Sequence, residues 1–155
     1  MKKLFLLSLV AALLLTSCSR SSSSPRAFAD KFIEAEHKAW TAGDLEDLKA
    51  LESLSVVYHL PDADLAGWKS HEEYILQSRP KIADLKQNWK YLSGEGDHFA
   101  LSYQATATMK ADGTNAAATI STNNLFMVRL ENGKIAEVWT NGTTTSSPLE
   151  EPAKK

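Results

Sequence analysis

The sequence predicts an α+β domain in which helices come first and an antiparallel sheet follows. Apolar residues recur at helical spacing between residues 27 and 54. From Leu85 onward, apolar and polar residues alternate, which is typical of strands with one buried face. Asp112-Gly113 and Asn132-Gly133 are hairpin signals within this second part. Helices followed by hairpin-linked strands favour helices packed on one face of a sheet.

Three helices are expected in the first half. The first is predicted over residues 27 to 42, because its apolar residues recur every three to four positions. Asp44 is the expected N-cap of a second helix. The apolar stripe of that helix consists of Leu45, Leu48, Leu51 and Leu54. Ser70 and Glu73 have the spacing of a capping box and predict the start of a third helix.

The remaining residues predict strands joined by turns. The predicted strands are residues 55–60, 86–93, 98–110, 115–130 and 134–144, and residues 62 to 69 are expected to form a loop. In the third strand, the odd-numbered residues from Phe99 to Met109 are apolar or aromatic and alternate with mostly polar neighbours. The odd-numbered residues are therefore expected to face the core.

The N-terminus has the layout of a secretory signal. Two lysines precede an apolar run from Leu4 to Leu15, and small residues follow. A membrane-spanning helix needs about 20 apolar residues, so this run is too short to cross a bilayer. Leu15-Thr16-Ser17-Cys18 resembles the bacterial lipobox, which implies cleavage before Cys18 and attachment of lipid to its thiol. An ordinary signal peptide with a chance cysteine is the alternative, but Cys18 is the only cysteine and a lone exported thiol needs an explanation.

This reading divides the chain into four parts. Residues 1–17 are the predicted signal peptide, 18–26 the lipidated cysteine and a Ser-rich tether, 27–145 the folded domain and 146–155 a disordered tail. The lipobox implies a bacterial cell envelope, and Ser19 implies an outer-membrane location facing the periplasm under the enterobacterial sorting pattern. Loss of Lys2 and Lys3 takes the formal net charge from −2 to −4, which gives no reason to expect nucleic acid as a partner.

The order of elements resembles the SnoaL-like branch of the nuclear transport factor 2-like superfamily over about residues 28 to 141. The resemblance depends on Gly43-Asp44 after the first helix, on Gly96-Asp97 before a long strand, and on a last hairpin from Asn132 to Trp139. It implies a cone-shaped, cystatin-like fold, in which a curved antiparallel sheet wraps around about three N-terminal helices. A pocket is then expected at the open end of the cone.

Polar residues on apolar faces are the first candidates for that pocket, because an unsatisfied buried polar group costs about 1–3 kcal/mol. Glu36 falls between Phe32 and Trp40 on the apolar arc of the first helix. It is either a buried carboxylate facing the pocket or a residue at the wet edge of a wider arc. Thr122 and Asn124 fall on the apolar face of a long strand, where they either contact a ligand or mark a bulge.

Aromatic residues are the second group of pocket candidates. They are Trp40, Tyr58, Tyr103 and Trp139, and the last two are expected to line the interior. If Tyr58 faces the core, its neighbour His59 points outward. His71 is interpreted as a residue at the start of the third helix. Since no two histidines have metal-ligand spacing and no free cysteine is expected, the sequence predicts no metal and no cofactor.

The resemblance implies ketosteroid isomerases, polyketide cyclases and dehydratases as relatives, which use an acid or base inside the cone. In SnoaL-like cyclases an acidic residue late in the sheet has this role, but the matching stretch here is Trp139-Thr140-Asn141. Glu36 is the substitute candidate for a catalytic carboxylate.

Three hypotheses follow from the missing carboxylate. A domain that binds a small apolar or aromatic ligand without catalysis should have few titrating groups inside. An isomerase-, cyclase- or dehydratase-type enzyme should have Glu36 buried beside a donor with a raised pKa. An interaction module should pair through its outer sheet face, as a homodimer or with another envelope protein. The missing carboxylate favours the first hypothesis.

Overall fold

The computed structural model describes residues 24–149 except Thr114. The predicted signal peptide, Cys18 and the end of the predicted tail lie outside the described residues. Within the described part, no helix is both long and apolar enough to cross a membrane. The chain forms an α+β fold, in which helices lie on one side of a curved, open sheet.

Helix α1 (Pro25–Ala42) spans the core and begins two residues before its predicted start. The earlier start has a local cause, because the Ser24 hydroxyl accepts a hydrogen bond of 3.2 Å from the Ala27 N–H and Pro25 occupies the first turn. The helix ends at Gly43, whose φ of 75° provides the left-handed cap. Glu36, near the middle of α1, lies on the buried face of the helix together with Phe32 and Ala39.

Helix α2 (Glu46–Leu51) is shorter than its predicted apolar stripe. The predicted N-cap role of Asp44 is wrong, because Leu45 occupies the N-cap position; the Asp44 carboxylate nevertheless accepts a hydrogen bond from the Glu46 N–H at the start of the helix. Leu54 was wrongly placed on this helix, because the chain becomes extended at Glu52. Leu54 then lies on the next strand with 80% of its surface exposed.

Helix α3 (Trp68–Ser78) begins at Trp68, and a single 3-10 turn (Arg79–Lys81) follows it. The predicted capping box does not form, because the chain enters the helix through Gly67, at a φ of 84°, before it reaches Ser70. The Ser70 hydroxyl instead donates to the Ala66 carbonyl over 2.8 Å. The earlier start carries His71 into the first turn of α3, on its buried side.

Six strands form one sheet in the order β2-β1-β6-β5-β4-β3. They are β1 (Glu52–His59), β2 (Asp64–Ala66), β3 (Ile82–Glu95), β4 (His98–Met109), β5 (Ala118–Glu131) and β6 (Lys134–Pro148). The pairing of β1 with β6 is parallel, and the other pairings are antiparallel. The expectation of a purely antiparallel sheet is therefore wrong at one place. Hairpin turns impose antiparallel pairing, whereas β1 enters the sheet from α2 and meets β6 without a hairpin.

Several strand boundaries differ from the predicted ones, among them the starts of β1 and β5. The predicted loop from 62 to 69 contains the short strand β2. Strand β3 begins at Ile82, ahead of an irregularity at Asp84, whose φ is 52°. Strand β6 continues three residues beyond the predicted domain end at Thr145, because Pro148 pairs with Ala118 of β5.

The core lies between α1, α3 and the inner face of the sheet. The predicted alternation along β4 is confirmed: Phe99, Leu101 and Ala107 are buried and Tyr103 is half-buried. Trp89 of β3 fills the middle of this face, with its ring 4.2 Å from that of Tyr103 and 5.0 Å from that of Phe126. The polar or charged residues that are buried in this core lie on α1, β1 and α3.

Candidate functional site

The fold brings four polar side chains together beneath the sheet. Glu36, Glu52 and His71 are 3%, 4% and 3% exposed, respectively. They belong to α1, β1 and α3, and the phenol of Tyr58 from β1 lies between them. We call these four residues the acid cluster. Of its members, Glu36 and Tyr58 were candidates from the sequence, and Glu52 and His71 were not.

Glu36 is the buried carboxylate that the helical arc suggested, and the alternative of a wet edge is wrong. Trp40, one turn along α1, donates its indole N–H to Glu36 Oε2 over 3.0 Å. The Tyr58 hydroxyl lies 3.5 Å from Glu36 Oε1. Burial raises the pKa of Glu36 to about 7, His71 opposes this change and Glu52 adds to it. Glu36 therefore changes protonation near neutral pH.

Tyr58 connects the two carboxylates of the acid cluster. Its hydroxyl donates to Glu52 Oε1 over 2.6 Å, and its ring lies 3.8 Å from the ring of His71. Burial and the two nearby carboxylates raise the pKa of Tyr58 well above its usual value. The phenol therefore stays protonated and acts as a neutral bridge.

Glu52 and His71 complete the cluster as a buried pair. His71 Nδ1 lies 3.0 Å from Glu52 Oε1 and 3.3 Å from Oε2. Sequence reasoning missed Glu52 because the chain changes from helix to strand at that residue. A signal for His71 existed, since Trp68, His71 and Ile75 recur at helical spacing and are the buried residues of α3.

Two half-exposed tyrosines lie at the rim of this region. Tyr74 of α3 is 40% exposed, and its ring meets that of Trp40 edge-on at 6.0 Å. Burial and, to a lesser degree, Glu36 raise its pKa. Tyr103, an expected interior residue, does face inward, and burial raises its pKa in spite of an opposing hydrogen bond from Gln87.

Thr122 and Asn124 lie on the inner face of β5, as their spacing suggested. The register between β4 and β5 is continuous along the paired residues, so the bulge alternative is wrong. Asn124 pairs with Tyr103 across the ladder, and Thr122 Oγ1 lies 3.1 Å from Thr144 Oγ1. Contact of these residues with a ligand stays a prediction.

Trp139 does not line the interior, and that prediction is wrong. Val138 is fully buried beside Val128 of β5 and Tyr58 of β1, so the period-two alternation turns Trp139 to the outer face. There its ring stacks on that of His59 at 5.3 Å, and His59 points outward as expected.

The last strand brings no carboxylate into the interior at the expected place. Glu137 lies on the outer face with Trp139 and accepts a 2.9 Å hydrogen bond from Arg129. That contact lowers the pKa of Glu137. The inward positions after Val138 are occupied by Thr140 and Gly142, which pair with Phe126 and Asn124. The two carboxyls of the acid cluster therefore come from α1 and β1, and neither comes from the last strand.

Two open depressions lie elsewhere on the molecule. The larger, of about 470 Å³, crosses four strands and is lined mainly by outward polar residues such as Asn88, Gln104 and Asn123. The smaller, of about 370 Å³, lies beside the β3–β4 turn. Neither is lined by a member of the acid cluster. Over the described ranges, no group of three or more His, Cys, Asp or Glu side chains has a geometry that could hold a metal ion.

Comparison with known proteins identifies the family. The model of the SnoaL-like polyketide cyclase family matches residues 29–142. The chain belongs to the SnoaL-like polyketide cyclase family. This SnoaL-like assignment confirms the resemblance drawn from the order of elements. A comparison with curated protein sequences gave no significant match.

Solved structures share the SnoaL-like fold at low sequence identity. TsrD from Streptomyces laurentii superposes with a TM-score of 0.64 at 18% identity, covering 76% of this chain and 89% of that one. AclR from Streptomyces galilaeus gives 0.60 at 20% identity, with 76% and 87% covered. An NTF2-like protein from Exiguobacterium sp. 255-15 gives 0.59 at 16% identity, with 75% and 98% covered. At these identities the likeness is one of fold.

Proposed function

We propose that this chain is a lipid-anchored cell-envelope enzyme of the isomerase, cyclase or dehydratase type, with Glu36 as the group that exchanges a proton with substrate. The observation that carries the proposal is a buried carboxyl with a pKa of about 7, one oxygen of which accepts the Trp40 indole N–H while the other lies 3.5 Å from the Tyr58 hydroxyl. A group with such a pKa has both protonation states available at neutral pH, which general acid–base catalysis requires.

The interior supports an enzyme over a binding domain without catalysis. The non-catalytic hypothesis, which the sequence favoured, expects few titrating groups inside. The catalytic hypothesis expects Glu36 to be buried beside a donor with a raised pKa. The acid cluster meets the second expectation, because two carboxyls, a phenol and an imidazole are buried together.

The inner wall suggests the class of substrate. Trp89, Tyr103 and Phe126 form a contiguous aromatic surface, which suits a small apolar or aromatic molecule. The indole N–H of Trp89 is buried and has no hydrogen-bond partner among the described residues. A substrate oxygen is the natural acceptor for it, since a buried donor without a partner costs free energy. We therefore expect an aromatic or apolar compound that carries a carbonyl or hydroxyl oxygen.

A deuterium-exchange experiment tests the proposal. The chain is purified from membranes of its native host, and native mass spectrometry identifies any small molecule that co-purifies. That molecule is then incubated in D₂O with wild type, with Glu36→Gln and with Glu137→Gln as the outer-face control. Carbon-bound deuterium should enter with wild type and the control but not with Glu36→Gln. If the molecule binds all three proteins and none exchanges it, the binding hypothesis replaces the catalytic one.

The anchor belongs to the same proposal. Cys18 is proposed as the lipidated residue, and few residues separate it from the start of α1 at Pro25. The domain would then stand close to the membrane surface on a short tether. Each CH₂ group of an acyl chain contributes about 0.8 kcal/mol of binding free energy when it is buried in the membrane, and stable anchoring needs more than one chain. The lipobox processing expected for Cys18 adds three, on the periplasmic side of the outer membrane under the proposed sorting.

Self-association is a second, independent proposal, and one observation favours it. Leu125 and Met127, on the outer face of β5, are 41% and 51% exposed. Met127 pairs with Trp139 of β6, so the three side chains form one apolar patch on an otherwise polar face. We propose that this patch meets its copy in a homodimer. Sedimentation should give a dimer for wild type and a monomer for Met127→Lys, and a monomeric wild type refutes the proposal.

A further inference from the structure

The Tyr58 hydroxyl lies between two carboxyl groups but has one hydrogen to donate. Its oxygen is 2.6 Å from Glu52 Oε1 and 3.5 Å from Glu36 Oε1. The shorter contact assigns the phenolic hydrogen to Glu52. Glu36 Oε1 then faces the lone pairs of the phenol oxygen, which repel an ionised carboxylate. A protonated Glu36 has no such conflict, because its O–H can donate to the same oxygen.

We propose that Glu52, acting through the Tyr58 hydroxyl and with His71 as its hydrogen-bond partner, holds Glu36 protonated at rest, so that Glu36 enters the reaction as an acid. The role of Glu36 as an acid rests on the proposed function, whereas its protonation state does not. Glu52, Tyr58 and His71 are thus positioning residues, since they act through Glu36. In the acid step, the Glu36 O–H bond breaks as a bond from that proton to the substrate's carbonyl or hydroxyl oxygen forms. The resulting carboxylate then takes a proton from a neighbouring carbon, so that a carbonyl compound becomes its enol or a hydroxyl compound loses water, and Glu36 ends protonated.

The groups that face Glu36 from each packed element support this assignment. Glu52 and Tyr58 approach it from β1, His71 and Tyr74 from α3, Trp40 from its own helix and Tyr103 from β4. His71 is the one basic group among them, and it lies directly against Glu52. His71 lowers the pKa of Glu36 more than Glu52 raises it, but burial outweighs both and favours the neutral form of Glu36.

Two substitutions distinguish this arrangement from a merely structural network. Both carboxyl oxygens approach one phenol oxygen, so they lie no more than about 6 Å apart. Removing the charge of Glu52 with Glu52→Gln should therefore lower the pKa of Glu36 by about two pH units at an effective dielectric constant of about 20. Removing the imidazole with His71→Gln should raise that pKa, because His71 lowers it in the native protein. The two variants are close in shape to the native residues, so opposite signs report charge.

The experiment is a carboxyl titration of the full chain in detergent micelles. Glutamate is labelled with carbon-13 at its side-chain carboxyl, and the NMR signal of Glu36 is identified by its loss in Glu36→Gln. Opposite shifts in Glu52→Gln and His71→Gln support the proposal; no shift, or shifts in one direction, overturn it. If either variant fails to fold, the infrared band of a protonated carboxyl decides. It should be present in wild type at about pH 6 and absent in Glu36→Gln, and its absence from wild type overturns the proposal.

This titration needs no substrate, so the two proposals fail separately. A chain that titrates as expected but exchanges no deuterium leaves the protonation of Glu36 standing and refutes the enzyme. A chain that exchanges deuterium but shows an ionised Glu36 at rest refutes the acid role and leaves the enzyme standing, with Glu36 as a base.

Discussion

Replacement of Glu36 by glutamine should remove a pH-dependent loss of stability from this protein. The pKa of this carboxyl rises from 4.5 to about 7 on folding, chiefly because burial disfavours its charged form. The folded state therefore keeps a proton that the unfolded chain has already released. The stabilisation is fully present below the unfolded pKa and is lost as pH rises through the folded pKa. Glutamine resembles the protonated acid and does not titrate.

The magnitude follows from the two pKa values. A pKa difference of about 2.5 corresponds to about 3.4 kcal/mol in total. About 2.5 kcal/mol of that should be lost between about pH 5 and about pH 8, because the unfolded chain is already partly ionised at the lower pH. Wild type should thus lose about 2.5 kcal/mol more than Glu36→Gln over this interval, and the variant should be the more stable protein at the higher pH.

Urea unfolding at both pH values measures this difference directly. Glu137→Gln is the control, since the hydrogen bond from Arg129 lowers the pKa of Glu137, a shift opposite in direction to that of Glu36. The control should show the same pH dependence as wild type. Equal slopes for wild type and Glu36→Gln would refute the reasoning, because they would mean that Glu36 has an ordinary pKa in the folded protein.

Three further outcomes are expected. Gly142→Ala should destabilise the fold by about 1–3 kcal/mol, because a Cβ there meets the backbone of Asn123 and Asn124. Gly113→Ala is the control: a Cβ there meets nothing, so the free energy of unfolding from thermal denaturation should change by less than about 0.5 kcal/mol. Cys18→Ser should move the protein from the membrane to the soluble fraction and abolish incorporation of labelled palmitate, and membrane retention would argue against the lipobox. Any turnover found should decline as pH rises through the Glu36 pKa of about 7, whereas a rate that increases over that range indicates a base.

The elements with strong periodicity were predictable from the sequence. The alternation along β4 follows a period of two over eleven residues, interrupted at Ala100 alone, and the structure turns its odd-numbered residues inward as expected. Glu36 was found for the same reason, because a charged residue in the middle of an apolar helical arc is visible in the spacing alone. The order of elements also sufficed to indicate the SnoaL-like family.

The positions of the missed residues depend on tertiary contacts that the local sequence pattern does not encode. Glu52 became buried because the chain leaves the helix one turn earlier than the leucine stripe suggests. Trp139 was misplaced because its neighbour Val138 is the better fit beside Tyr58, and that contact is set by a parallel pairing between distant strands. In both cases tertiary packing, rather than the intrinsic preference of the residue, selects the face.

The parallel pairing of β1 with β6 also sets the order in which the site can be built. Glu52 and Tyr58 pair with Ile135 and Val138, respectively, which lie about 80 residues further along the chain, and closing so large a loop is slow. The three hairpin-linked pairings from β3 to β6 are local by comparison. The chain would therefore form the hairpin-linked strands β3 to β6 first and place Glu52 and Tyr58 of the acid cluster last. A chain that lacks β6 would keep every residue of that cluster but lose the strand that aligns two of them.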